Sequence, residues 1–191
     1  MLSESFIATY IETLRSSGVL IQRGLSDGEL STAENRFEFL FPPDLKELLK
    51  HGLPVSEKFP DWRSGTPEQL SEWLNWPFDG MCFDIEHNKF WMDEWGAKPT
   101  KLTEAFAVAK KQIHKAPKLI PIYVHRFIPA EPSESGNPVF SVYQTDIIYY
   151  GTDLASYLSA EFGFKNPFPI PNEPKPITFW SNLVELNNNR A

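Results

Sequence analysis

The sequence predicts a single-domain α+β protein. Three observations support this fold class: apolar residues recur at helical spacing in the first quarter, alternating apolar patterns follow, and further helices lie between and after the strands. A chain of 191 residues is long enough for one substantial core and short for two. We therefore predict an antiparallel-rich sheet with helices packed mainly on one face.

The carboxyl-terminal part differs in composition from the rest. The segment NPFPIPNEPKPI has five prolines in twelve residues, so we expect an extended chain that is partly polyproline II. The following TFWSNLVEL has the spacing of a short amphipathic helix. We predict that residues 1–165 form the domain and that residues 166–191 form a tail that wraps it.

Three helices are predicted in the amino-terminal region. Ser3 can cap the first helix and Gly18 can end it. Ser26 and Glu29 form a capping box at the start of the second. The third follows a pair of prolines in FPPDLKELLKHG, where Gly52 is placed to stop it.

Short helices and strands alternate after a loop at LPVSEKFPDWRSG. Thr66 caps a short helix in TPEQLSEWLNW, and Pro67 is its first residue. Pro121 interrupts a strand in KLIPIYVHRFIP, which indicates an edge position or a bulge. The remaining predicted elements are a helix in TEAFAVAKKQIHKAP, one or two strands in VFSVYQTDIIYYG, and a helix capped by Thr152 and ended by Gly163.

The segment GMCFDIEHNKFWMDEWG predicts a β-hairpin that turns at His87 and Asn88. Side chains alternate across a strand, so one face of this hairpin is apolar. The apolar face contains Phe83, Ile85, Phe90 and Met92. The other face collects charged side chains around one indole: Asp84, Glu86, Lys89, Trp91 and Asp93.

Composition and charge exclude several classes of protein. We find no apolar run of ~18 residues and no basic-then-apolar amino terminus, so we expect neither a membrane span nor a Sec-type signal. The net charge of −7 argues against nucleic-acid binding and suits a basic protein partner, or solubility alone. A lone cysteine, Cys82, cannot form an internal disulfide, which favours a reducing cytoplasm.

Motifs that indicate catalysis are absent from the sequence. It contains no Gly-rich phosphate loop, paired CxxC or HExxH motif. A metal-dependent hydrolase would have to use Asp84, Glu86 and His125, yet the two acids share a strand face and do not converge with His87 at the turn. Acids around Cys82 raise the pKa of its thiol, which disfavours a nucleophile. We predict a non-enzymatic protein with no catalytic residue, metal site or cofactor.

The loop FPDWR supports two interpretations. Trp62 can be buried in the core while Asp61 and Arg63 pair with each other, which makes an intramolecular lock. Alternatively, the three side chains are displayed for a partner, because Trp and Arg are favoured anchors at protein interfaces.

Trp91 also has two interpretations. Either the proline-rich tail covers the second face of the sheet, with Phe179 or Trp180 against Trp91, or that face stays open as an acidic and aromatic surface that accepts another protein. The second interpretation requires helices to seal one face of the sheet while the other remains available.

The order of segments resembles the SUKH superfamily, which includes the fungal Smi/Knr cell-wall regulators and many bacterial proteins. FPPDLKELLKHG at 41–52 is similar to its LPxDLKxLL…NG signature, with His51 in place of the usual asparagine. GNPVFSV…IIYYGTDLASYLSAEF at 136–162 is similar to its late strands and following helix. FPDWR and FDIEHNKFWMDEWG resemble a bacterial subgroup, and the match spans about residues 25–165.

This resemblance implies a single α+β domain without catalytic residues. In bacteria it implies an immunity protein that binds and neutralises a cognate toxin, often a nuclease. A housekeeping interaction scaffold, like the fungal regulators, is the alternative. An acidic surface with an aromatic anchor suits a basic toxin domain. The predicted partner-binding residues are Asp61, Trp62, Arg63, Asp84, Glu86, Trp91 and Asp93.

Overall fold

A computed structural model describes residues 2–188 and confirms the α+β class. The elements in chain order are α1 (Glu4–Ser16), β1 (Leu20–Arg23), α2 (Asp27–Phe37), α3 (Pro43–His51), β2 (Gly52–Val55), α4 (Pro67–His87), α5 (Leu102–Ile113), β3 (Leu119–Tyr123), β4 (Arg126–Pro129), β5 (Val139–Tyr143), β6 (Asp146–Gly151), α6 (Leu154–Phe162) and α7 (Trp180–Asn188). A 3₁₀ turn at Asp93–Trp95 follows α4.

The strands form two antiparallel sheets. β1 pairs with β2, which lies in a segment predicted as loop. The main sheet has the order β3-β4-β5-β6. Pro121 lies in the edge strand β3 beside a register irregularity, as predicted. At the other edge, the Asn187 amide of α7 donates to the carbonyl oxygens of Thr145 (2.8 Å) and Ile147 (3.3 Å), which protects β6 from further pairing.

Helices cover both faces of the main sheet, whereas the sequence predicted them mainly on one. Ile120 and Ile128 face a core built with α1, α2, α3 and α6. Phe127 and Phe140 face a second core built with α4, α5 and α7. At the β5–β6 end the first face is left exposed, and this exposed area carries Tyr143, Ile148 and Tyr150.

The predicted helix starts are largely those observed. Ser3 caps α1, and Ser26 with Glu29 forms a complete capping box at α2. α6 starts one residue later than predicted, because the carboxylate of Asp153 accepts the N–H of Ser156. The terminal helix α7 buries Trp180, Leu183 and Val184 in the second core.

The predicted hairpin at 83–92 is wrong, because α4 continues for 21 residues to His87. Its inward side chains recur at helical spacing: Leu70, Leu74, Pro77, Met81 and Ile85. Thr66 and Gln69 form the capping box at its start. At its end, the Lys98 ammonium donates to the carbonyl oxygen of Ile85 at 2.6 Å.

Candidate functional site

Asp84 lies on the inward side of α4 and is only 4% exposed. One carboxyl oxygen accepts the backbone N–H (2.8 Å) and the hydroxyl of Thr145, and the other accepts the amide of Asn88 at 2.6 Å. These bonds fasten α4 to the turn between β5 and β6. A partner cannot reach this side chain, so Asp84 does not belong to a partner surface.

The residues of the alternative hydrolase are not brought together. Glu86 is exposed on α4, where its nearest ionisable partner is His87 at 3.7 Å. Two positions along a helix correspond to a rotation of about 200°, so Asp84 and Glu86 point in different directions. His125 lies in the β3–β4 turn, where burial and then Arg126 lower the pKa of its imidazole. Within residues 2–188, no group of three His, Cys, Asp or Glu side chains could hold a metal ion.

Cys82 lies on α4 rather than on a strand. Burial, and then the negative charge of Asp79, raise the pKa of its thiol to about 11. The thiolate is the nucleophilic form of cysteine, so this environment disfavours nucleophilic chemistry at neutral pH.

The FPDWR loop forms an intramolecular lock. Trp62 is 6% exposed, and its ring packs edge-on against three phenylalanines, Phe37, Phe39 and Phe41, at centroid distances of 6.3, 5.8 and 5.2 Å. The charge partner of Arg63 is Glu29 (2.7 Å), not Asp61 as predicted. The Asp61 carboxylate instead accepts the backbone N–H groups of Arg63 and Ser64. We call this arrangement the Trp62 lock.

Trp91 and Asp93 lie in the loop after α4, not on a sheet. The Trp91 ring packs edge-on against Trp95 at 5.1 Å, and its indole N–H donates to the Gly96 carbonyl at 2.7 Å. Asp93 is exposed beside it. The tail does cover the second face of the sheet, where Phe179 and Trp180 pack in the second core and the Trp180 indole N–H donates to the Pro117 carbonyl. The predicted position of Trp91 on that face is wrong, because Trp91 lies in the loop after α4.

The outward side of α4 carries alternating acidic and aromatic side chains. We call this set the α4 stripe: Glu72, Trp76, Asp79, Phe83 and Glu86. Their spacing of four, three, four and three residues places them on one helical face. Trp76 and Phe83 are each 46% exposed, and all three acids are exposed.

Each aromatic side chain of the α4 stripe has a neighbour within the chain. The Trp76 indole N–H donates to the carbonyl oxygen of Val142 in β5 at 3.0 Å. The Phe83 ring lies 4.5 Å from the ring of His87. Among residues 2–188, none of the three stripe acids forms an ion pair with lysine or arginine. The stripe is therefore an ordered, negatively charged surface with two apolar projections.

The sequence prediction found one member of this surface, Glu86, and missed the others. A usable signal was present, since Trp76 and Phe83 are seven residues apart with acids at intermediate helical positions. Because residues 83–92 were predicted as a hairpin, the predicted helix TPEQLSEWLNW ended at Trp76. The helical spacing that continues to Phe83 and Glu86 was therefore not recognised.

Comparison with protein-family models, curated proteins and solved structures gives no match. The SUKH resemblance therefore stays a prediction from the sequence segments at 41–52 and 136–162 and from FPDWR and FDIEHNKFWMDEWG. No helix in the described part of the chain is both long enough and apolar enough to span a membrane.

Proposed function

We propose that the protein is a non-enzymatic binding protein whose α4 stripe holds a basic protein partner. The observation that carries this proposal is the pair of half-exposed aromatic side chains, Trp76 and Phe83, set among three acids that form no ion pair with lysine or arginine within residues 2–188. Large aromatic residues commonly dominate binding energy at protein interfaces, where they fill pockets on the partner.

The charge of the stripe supports a basic partner. Acidic side chains around an apolar anchor accelerate the encounter with a positively charged surface and disfavour acidic competitors. The net charge of −7 acts in the same direction. We expect this acceleration to weaken as salt is added, because salt screens exposed charges.

The rigidity of α4 also supports a binding role. Asp84 and Trp76 hydrogen-bond the helix to β5 and to the turn that follows it. A surface that is ordered before association loses little conformational entropy when a partner binds. The helix can therefore present both aromatic side chains without rearranging.

The SUKH resemblance suggests which partner this is. We propose a cytoplasmic immunity protein that neutralises a toxin, with a nuclease as the suspected toxin class. A nuclease needs a basic surface to bind the phosphate backbone, and an acidic stripe complements such a surface. A housekeeping scaffold would use the same stripe without a toxin. A toxin gene directly upstream favours the immunity role, and its absence favours the scaffold.

The test is affinity capture from the native host with three forms of the tagged chain. The wild type is compared with Trp76→Ala/Phe83→Ala and with Leu20→Ala/Leu40→Ala, whose side chains are similarly exposed but lie elsewhere, at 62% and 57%. We expect wild type and control to retain one basic protein at about 0.1 M salt and lose it at high salt. The stripe variant should not retain it.

The captured protein is then expressed alone and together with the chain. Growth arrest that the wild type relieves and the stripe variant does not relieve supports the immunity role. A captured protein that is not toxic supports the scaffold. Equal capture by wild type and stripe variant would contradict the proposed surface.

A further inference from the structure

A cleft lies between α4, α5 and the segment that leads into β3, and none of the α4 stripe residues lines it. Its volume is about 280 Å³. Phe37, Phe78 and Trp180 provide aromatic walls. Trp180 is buried, and its indole N–H is already donated to the carbonyl oxygen of Pro117 at 2.7 Å, so it lines the cleft with apolar ring atoms.

Two lysines and one histidine line the same cleft. Lys110, His114 and Lys118 are exposed, which places them at its mouth. Lys118 donates to the Phe37 carbonyl at 2.7 Å and lies 3.6 Å from Glu38. Within residues 2–188, the side chains of Lys110 and His114 form no hydrogen bond or ion pair, and no aspartate or glutamate lines the cleft. A local positive mouth in a chain of net charge −7 favours an anion.

The dimensions restrict the size of a ligand. A cavity of about 150 Å³ accommodates benzene, and sites for drug-sized molecules begin at about 300 Å³. The present cleft is between these sizes. Flat rings stack or pack edge-on against aromatic walls, and a carboxylate accepts charge-assisted hydrogen bonds from lysine.

We propose that this cleft binds a small aromatic carboxylate. Its ring system lies among Phe37, Phe78 and Trp180, and its carboxylate lies at Lys110 and His114. The site is separate from the α4 stripe, because the two use different residues of the helix. Trp76→Ala/Phe83→Ala should therefore bind the same ligand as wild type, whether or not the stripe binds a protein.

The test uses naphthalene-2-carboxylate as the probe and naphthalene-2-carboxamide as its neutral counterpart. Binding is measured by calorimetry and by the shift of the Trp180 indole N–H resonance, which is assigned by its loss in Trp180→Phe. We expect the carboxylate to move this resonance and to bind about tenfold more tightly than the carboxamide. Decanoate should bind more weakly than the aromatic probe.

Matched variants distinguish binding in the cleft from nonspecific attraction to surface lysines. Lys110→Gln/His114→Gln should weaken carboxylate binding about tenfold. Lys111→Gln/Lys115→Gln removes neighbouring charges that do not line the cleft and should leave binding unchanged. Equal binding of both naphthalene probes, equal loss in both variants, tighter binding of decanoate, or an unmoved Trp180 resonance would each overturn the proposal.

Discussion

Two tryptophans beside charged residues have opposite surroundings in this protein. Trp62 is 6% exposed, and the neighbouring Arg63 pairs with Glu29 at 2.7 Å. Trp76 is 46% exposed, and the neighbouring stripe acid Asp79 pairs with no lysine or arginine in the described chain. Aromatic and charged residues alone therefore do not distinguish a core from a surface.

The difference lies in whether the charges find partners within the chain. The Arg63 guanidinium also donates to Gln22 and to the carbonyl oxygens of Arg23 and Gly24, so the charges beside Trp62 are satisfied internally. Burying a charge without such partners is costly. The acids of the α4 stripe stay in water, and the aromatic side chains between them stay accessible.

The largest expected effect is a loss of stability at Trp62, the buried tryptophan of the pair. Trp62→Ala should lower the free energy of unfolding by about 4 kcal/mol, because it leaves a cavity beside Phe37, Phe39 and Phe41. Urea unfolding followed by circular dichroism measures this change. A loss below about 1 kcal/mol would show that the lock contributes little to stability.

A smaller loss of stability is expected at Asp84. All three partners of its carboxyl group are donors, so Asp84→Asn places an amide NH₂ against a donor. We expect a loss of about 2 kcal/mol in the free energy of unfolding. Glu86→Gln, on the exposed side of the same helix, should change it by less than about 0.5 kcal/mol. Equal effects would contradict the assignment of the two acids to different sides.

The aromatic side chains of the α4 stripe should contribute less to the free energy of unfolding than Asp84 does. Trp76→Ala and Phe83→Ala should each cost about 1 kcal/mol of stability, because both side chains are already 46% exposed. Thermal and urea unfolding of each single variant provide the measurement. A cost near that of Trp62→Ala would make these residues part of the core.

The smallest expected effect is the pH dependence of the Trp62 lock, because the carboxylate of Glu29 is partly exposed. Hydrogen bonds from Arg63 and then Arg23 hold the pKa of Glu29 well below its ordinary value of 4.5. The stability that Glu29 contributes is therefore present above this value and is lost as the pH falls toward the lowered pKa. Unfolding midpoints at about pH 6 and about pH 3 should differ less in Glu29→Gln than in wild type. An equal difference in both would show that the pair does not stabilise the lock.

Local signals were sufficient to predict much of the fold. The capping box at Ser26, the cap at Thr66 and the edge position or bulge at Pro121 depend on neighbours within a few residues. The hairpin failed because Phe83 and Ile85 also satisfy an alternating pattern. The helical spacing that buries Ile85 becomes clear only from Leu70 onward, across Pro77.

The site was harder to predict because its decisive contacts join distant residues. Asp84 bonds to Thr145, which is 61 positions away, and Arg63 pairs with Glu29, which is 34 positions away. No spacing rule reveals such contacts. An acidic and aromatic surface was predicted on a sheet face, whereas the structure places side chains of this kind on the outward side of α4.

The most direct test of the α4 stripe is photo-crosslinking in the native host. p-Benzoylphenylalanine is placed at Phe83, where it replaces one aromatic ring with another, and at Leu40 as an exposed control. We predict an adduct with one basic protein at Phe83 and none at Leu40. The same adduct at both positions, or none at Phe83, would contradict the stripe as a partner surface.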